Sequence, residues 1–272
     1  MYEEYWGLTE KPFENTPDPR FIYYSSQHEE GLSRLLYAVS EGKGAAMLTG
    51  IFGCGKTLLA RTLLKELDKD IYRTAFIANP YLSYEELLMH IVYNLGGKDL
   101  PSRKTDVLVN TVLERLSEIL ENNMRDGKKT VIIIDEAHVV RDRQVWEELR
   151  LILNFQLEDR FLLTLLLLGQ PELKELIDGN KQFAQRIAVR CHLGSLDEKE
   201  TKRYILHRLS VAGRSQSIFT EEAYKLIYKK SGGIPRRINH ICDLVLFSGF
   251  GKDLSVIDED IIKDVAGDLE GS

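Results

Sequence analysis

Between an apolar run at residues 45–49 and a helical pattern from about residue 55 to 67 lies the octapeptide Gly50-Ile51-Phe52-Gly53-Cys54-Gly55-Lys56-Thr57. It matches G-x-x-x-x-G-K-[ST] in full. Glycines let a backbone curl tightly, because they accept positive φ and carry no side chain. The free N–H groups and the dipole of the helix that follows then face a small volume suited to a polyphosphate. In a chain of this length the four fixed positions match by chance about once in a hundred sequences. A tight strand–helix turn with an incidental lysine is therefore the weaker reading.

The surrounding pattern alternates strand and helix. Apolar strands are expected at 45–49, 71–78, 130–135 and 161–169, with a short one near 191–193. Ser25 or Ser26 could cap a helix running to about 40, and helices are expected at 55–67 and 145–156 and, with apolar residues three and four apart, at 83–94 and 106–123. Such alternation implies crossover connections and a parallel sheet buried on both faces. From Asp197 the strands stop. Four helical stretches follow, at about 197–212, 220–231, 235–248 and 258–268, with Gly232-Gly233-Ile234-Pro235 as a sharp break between two of them. The expected fold is α/β, a P-loop parallel sheet flanked by helices, plus a small all-helical C-terminal lid. The expected division is an N-terminal approach segment (1–43), a nucleotide-binding domain (44–195) and a lid (196–272).

Composition narrows the class further. The 272 residues carry a net charge of −6, which argues against a generally basic nucleic-acid coat and leaves room for a local basic patch. Cys54, Cys191 and Cys242 are few and far apart, so neither a disulfide framework nor zinc-ligand spacing is implied. The longest apolar run, near residues 161–168, is too short to cross a bilayer. The start, Met1-Tyr2-Glu3-Glu4-Tyr5-Trp6, is acidic and aromatic, unlike a signal peptide. A reducing cytoplasm is the expected location, with any membrane association supplied by a partner or by a segment outside these residues.

The second chemical segment is Val131-Ile132-Ile133-Ile134-Asp135-Glu136, an apolar strand that ends in two carboxylates. In open α/β folds ligands bind beyond the C-terminal ends of the strands. Asp135 is expected to orient a Mg²⁺ hydration shell together with the Thr57 hydroxyl, and Glu136 to act as general base on the attacking water. Gly50, Gly53, Cys54, Gly55, Lys56, Thr57 and Leu58 are the residues expected to hold ATP or ADP. Gln170, which follows the strand at 161–169, could align the water, or could be a simple turn residue before Pro171. Arg186 and Arg190 flank the step into the last strand. Either could reach a neighbouring subunit's nucleotide, or form a surface ion pair. Arg236, at a helix start after Gly232-Gly233-Ile234-Pro235, could meet the phosphates from the lid, with Arg237 facing away. Asp135-Glu136-Ala137-His138 also spells a helicase box, but one motor domain does not make such a helicase, and His138 reads as a polar neighbour rather than a ligand. A redox role for Cys54 is weaker than a small tolerated side chain. Phe13, Phe21 and Tyr23 could wall an adenine pocket or be plain core.

Taken together these residues resemble the AAA+ superfamily and, more narrowly, the ExeA/GspA-like (general secretion pathway protein A, MshM-like) ATPases. The segments that carry the resemblance are Tyr5-Trp6-Gly7-Leu8-Thr9-Glu10-Lys11-Pro12-Phe13, Pro17-Asp18-Pro19-Arg20-Phe21, Ile134-Asp135-Glu136-Ala137-His138, Glu148-Leu149-Arg150, Leu168-Gly169-Gln170-Pro171-Glu172-Leu173, Gln185-Arg186-Ile187 and Gly233-Ile234-Pro235-Arg236-Arg237-Ile238-Asn239. The resemblance implies sensor roles for Gln170 and Arg236 and an arginine finger at Arg186. It also implies a cytoplasmic ATPase that self-associates into a homo-oligomer and helps assemble a secretion or type IV pilus machine. Several relatives continue into a transmembrane helix and a peptidoglycan-binding domain. This chain is expected to be either a stand-alone relative or the ATPase domain of a longer protein. A rival role comes from similarity to the DNA-binding transposition ATPases of the TniB/TnsC/MuB kind.

Overall fold

The computed structural model describes residues 2–97 and 109–270. In chain order the elements are α1 (Tyr2–Tyr5), α2 (Ser26–Ser40), β1 (Ala45–Gly50), α3 (Lys56–Glu66), β2 (Tyr72–Ile77), α4 (Tyr84–Asn94) and α5 (Val109–Arg125). Then come β3 (Lys129–Ile134), α6 (Arg143–Ile152), β4 (Leu163–Gly169), α7 (Glu172–Gly179), α8 (Lys181–Ala184) and β5 (Ile187–Leu193). Four helices close the chain: α9 (Glu198–Val211), α10 (Glu221–Ser231), α11 (Pro235–Gly251) and α12 (Glu259–Glu270). Residues 106–108, where the sequence pattern begins a helix, lie outside the described residues.

The described chain divides into two compact units. One comprises residues 29–50 and 59–193 and holds the sheet. Its five strands run in the order β2-β3-β4-β1-β5, and every neighbouring pair is parallel. Every residue of β1 and β4 is buried, as is β3 beyond Lys129, the mark of strands covered on both faces. Because the strands are parallel, Gly50, Ile134 and Gly169 finish at one edge of the sheet, and Asp135 and Gln170 follow directly there. Local chemistry fixes the helix starts. Ser83 and Glu86 form a reciprocal capping box on α4, and the Asp142 side chain caps α6.

The expected short strand at 191–193 is the end of a longer one. β5 is an edge strand with exposed positions at Ala188 and His192, so its polar content hides the strand period. Arg190 therefore lies inside the strand rather than at its entrance, and Arg186 stands immediately before it. Helices α7 and α8 lie where the sequence pattern predicts no element.

The other unit comprises residues 1–28, 51–58 and 194–272. Its helices follow the expected pattern closely. Asp197 and Glu200 make a capping box on α9, and Thr220 caps α10. Helix α10 ends on left-handed Gly232, and Pro235 opens α11 at a position where its missing N–H costs nothing. The N-terminal aromatics belong to this unit's core: Trp6, Phe13 and Phe21 are buried with Tyr204, Ile238, Val245 and their neighbours. Trp6 Nε1 donates to the Leu246 carbonyl at 2.9 Å. Of the two readings open for Phe13 and Phe21, core is the one realised.

Candidate nucleotide site

Residues 51–58 form the loop that leaves β1 and enters α3. Gly53 and Gly55 are both left-handed, with φ of +83° and +101°. A Cβ at Gly53 would lie 2.7 Å from Arg236 Cβ, so the position needs glycine for space as well as for conformation. The Cys54 N–H donates to the Ile51 carbonyl at 3.3 Å, closing the turn. Lys56 is 4% exposed, and its ammonium donates to the same carbonyl at 3.2 Å. Helix α3 begins at Lys56, so its first N–H groups belong to the loop. Cys54 is fully buried, which fits the small-side-chain reading.

Two further groups fix this loop. The Arg236 N–H donates to the Gly53 carbonyl at 3.2 Å, and the Arg236 guanidinium lies 4.7 Å from the centroid of the exposed Phe52 ring. Arg236 is held in turn by a polar chain that the sequence does not suggest. Its carbonyl accepts from Asn15 at 3.4 Å, Asn15 accepts from Asn239 at 3.0 Å, and Asn239 accepts from the Tyr204 hydroxyl at 2.8 Å. Arg208, 4% exposed, donates to that hydroxyl at 2.9 Å and to the carbonyls of Pro12 and Glu14. The second group is His28, 5% exposed, whose Nε2 lies 3.1 Å from the Cys54 carbonyl. Burial holds its pKa below the ordinary histidine value.

In the sheet unit, Asp135 is buried directly after β3. Its N–H donates to the Ile77 carbonyl, and its Oδ1 accepts the Glu136 N–H, each at 2.9 Å. Glu136 has φ 50° and ψ 34°, a left-handed conformation uncommon outside glycine. Such strain tends to be kept where a side chain must be aimed. The Glu136 carboxylate lies 3.3 Å from His138 Nδ1, and His138 Nε2 lies 3.0 Å from the Gln170 side-chain nitrogen. With the ring proton assigned to Nδ1, the imidazole donates to Glu136 and accepts from Gln170. With the proton on Nε2, Nδ1 instead accepts the Gln170 N–H at 3.3 Å, and Glu136 is released. His138 thus ties together two residues that the sequence places 34 positions apart by number alone, Glu136 and Gln170. Sequence reasoning found both ends of this arrangement and missed the link.

The two candidate arginines are held differently. Arg190 forms an ion pair with Asp178 at 2.7 Å, whereas Arg186 donates to the neutral Asn154 side chain at 3.1 Å. Arg186 precedes the first residue of β5, and Ile187 pairs with Ala45 while Leu193 pairs with Gly50. It therefore stands at the opposite sheet edge from Gly50, roughly 20 Å away at ~3.3 Å per strand residue. Among the described residues no group of three or more His, Cys, Asp or Glu could hold a metal by itself. None of their helices is long and apolar enough to cross a membrane.

The chain is 38% identical to General secretion pathway protein A of Aeromonas hydrophila over 255 residues, 93% of this chain and 45% of that relative. It thus spans a little under half the length of the curated relative it matches. In fold it resembles the Aeropyrum pernix ORC1 protein solved in complex with DNA, with a TM-score of 0.73 at 16% identity, covering 96% of this chain and 70% of that one. It also resembles the Thermotoga maritima RuvB Holliday junction branch migration motor, with a TM-score of 0.58 at 20% identity, covering 89% of this chain and 68% of that one. These two likenesses are of fold. Residues 39–177, about half of the chain, match the AAA domain family, and the chain belongs to that family.

Proposed function

We propose that the chain binds ATP with Mg²⁺, hydrolyses it, and uses the turnover to assemble or remodel a secretion machine. The observation that carries the reading is the loop of residues 51–58. It turns on two left-handed glycines, keeps a buried lysine against its own carbonyl, and opens a helix. This donor set, backbone N–H groups plus one ammonium, suits a polyphosphate. Lys56 would exchange the Ile51 carbonyl for β- and γ-phosphate oxygens, with Gly50, Gly53, Cys54, Gly55, Thr57 and Leu58 completing the cradle. The Thr57 hydroxyl and the Asp135 carboxylate are hard oxygen donors of the kind Mg²⁺ accepts alongside water. When bound, the ion supplies positive charge to the phosphate oxygens.

The acidic strand end supplies the hydrolytic groups in this reading. Glu136 takes the proton from the attacking water at its carboxylate. Gln170 aligns that water, and His138 limits the rotation of both side chains. Arg236 brings positive charge from the lid (196–272) and couples nucleotide state to that segment. Arg186 stands before β5, at the end of the sheet opposite Asp135 and Gln170, which suits a role on a neighbouring subunit of a homo-oligomer better than one in its own site. The secretion role rests on the similarity to General secretion pathway protein A. In this reading the chain works on the cytoplasmic side of the inner membrane, beside secretion or pilus partners.

Phosphate release and nucleotide binding test this reading together. The wild-type protein is expected to bind ATP and release phosphate only with Mg²⁺ present. A protein that does neither rules the reading out. The subunit claim has its own test: Arg186→Ala and Glu136→Gln are each expected to be inactive alone, and to regain activity when mixed. Mixtures without recovery remove Arg186 from the neighbour's site.

A further inference from the structure

His28 is a buried titratable residue to which the proposed hydrolysis assigns no step, and its surroundings are specific. Its Nε2 lies 3.1 Å from the Cys54 carbonyl oxygen, and its Nδ1 lies 2.7 Å from the Ser25 hydroxyl. A carbonyl oxygen only accepts, so Nε2 carries the proton and Nδ1 accepts from the Ser25 O–H. The Ser25 oxygen in turn accepts the His28 N–H at 3.4 Å. Serine and imidazole thus lock each other, and the ring has one satisfied tautomer.

The bonded carbonyl belongs to the peptide between Cys54 and Gly55. That peptide is trans, so the Gly55 N–H points away from the Cys54 oxygen. Gly55 has φ of +101°, and a Cβ there would come 3.0 Å from His28 Nε2. The imidazole therefore lies directly against the loop backbone. A glycine at this position gives the peptide freedom to turn over, which would aim a carbonyl rather than an N–H at an incoming anion. A fixed donor on the carbonyl side removes that freedom.

We propose that His28 is a positioning residue for the phosphate loop: its Nε2–H holds the Cys54 carbonyl outward, so that the Gly55 N–H is already presented to the triphosphate of ATP. Ser25 sets the tautomer that makes this possible. The proposal rests on the reading of residues 50–58 as the nucleotide site and adds a preorganising group to it.

The experiment compares His28→Asn with His28→Gln. The glutamine side-chain nitrogen reaches the position of Nε2 and can donate to the Cys54 carbonyl. The asparagine nitrogen reaches only the position of Nδ1. MgATP and MgADP affinities are measured by calorimetry, alongside the melting temperature without nucleotide and steady-state turnover. His28→Asn is expected to weaken both affinities about tenfold, the effect of no longer holding the Gly55 N–H on a charged phosphate. KM should rise by a similar factor while kcat falls less, and His28→Gln should restore most of the affinity. Should His28→Asn not fold, Ser25→Ala keeps the ring and frees the tautomer, and a loss of about threefold is expected. Affinity in His28→Asn, or in Ser25→Ala if that variant stands in for it, within error of wild type overturns the proposal. So does a folded His28→Gln that binds no better than His28→Asn, because the donor would then not be the cause. Wild-type protein that fails to bind nucleotide at all refutes the site itself, a separate result.

Discussion

In the unit that carries residues 51–58, the groups proposed to bind nucleotide are mostly backbone. Two left-handed glycines shape the loop, the Gly53 carbonyl accepts the Arg236 N–H, and the Cys54 carbonyl lies against His28. In the sheet unit the corresponding groups are side chains. Asp135, Glu136, His138 and Gln170 stand at the ends of two parallel strands, and an imidazole links two of them. Binding an anion needs many N–H donors in a small volume, which only a curled main chain supplies. Moving a proton needs a group with its own ionisable atom, which only a side chain supplies. The contrast predicts that the two units fail in different ways when altered.

The largest expected effect falls on the side-chain half. Glu136→Gln keeps the size and hydrogen-bonding reach of the residue and removes its ability to take a proton. Turnover should drop by about a thousandfold, within the usual range for a general base, while ATP affinity stays close to wild type. Turnover that survives the change removes Glu136 as the base and erases the contrast. Lys56→Ala tests the other half, where affinity rather than rate is at stake. ATP binding is expected to weaken by about a hundredfold, or ~2.7 kcal/mol. Equal affinity measured by calorimetry contradicts the phosphate role of the loop.

A glycine pair sharpens the claim that the loop works through its backbone. Gly53 and Gly42 are both left-handed, with φ of +83° and +59°. A Cβ at Gly42 would meet nothing within 4 Å, whereas one at Gly53 would press on Arg236 Cβ. Gly42→Ala should cost about 1 kcal/mol, the conformational penalty alone. Gly53→Ala should cost about 2–3 kcal/mol and also weaken ATP binding, because Arg236 or the loop must move. Melting curves of the two variants decide the matter, and equal losses mean that packing against Arg236 contributes nothing.

The ease with which each region can be read from sequence follows the same division. The strands at Ala45–Gly50, Lys129–Ile134 and Leu163–Gly169 announce themselves because burial on both faces demands an unbroken apolar run. The loop announces itself because its glycines and lysine are contiguous. Asp135 and Gln170 could be placed because each directly follows a strand. What escapes is whatever depends on residues distant in the chain. His28 lies 26 positions before its carbonyl partner, and Trp6 lies 240 positions before Leu246. No local period or motif carries such pairs, so the sequence leaves Phe13 and Phe21 open between adenine wall and core and does not show that they pack among the C-terminal helices. Strand β5 runs longer than its sequence pattern predicts for a different reason. At a sheet edge Arg190 and His192 are tolerated, and the apolar signal is diluted.

The smallest effect concerns acid. His28 titrates below the ordinary histidine value of about 6.5 because burial disfavours its charged form. His207 is shifted in the same direction for the same first cause. In the unfolded chain both titrate near 6.5, so over the window just below that value the unfolded state binds more protons than the folded one. Stability then rises with pH across the window and is lost as pH falls through it. A single such histidine contributes at most about 1.4 kcal/mol per pH unit. Urea unfolding between pH 7.5 and 5.5 should therefore fall in free energy more steeply for wild type than for His28→Gln. Carboxylates that titrate lower cancel between the two proteins. A steeper fall in the variant would mean that folded His28 is charged. Both ring nitrogens would then be donors, and the Ser25 hydroxyl could no longer donate to Nδ1.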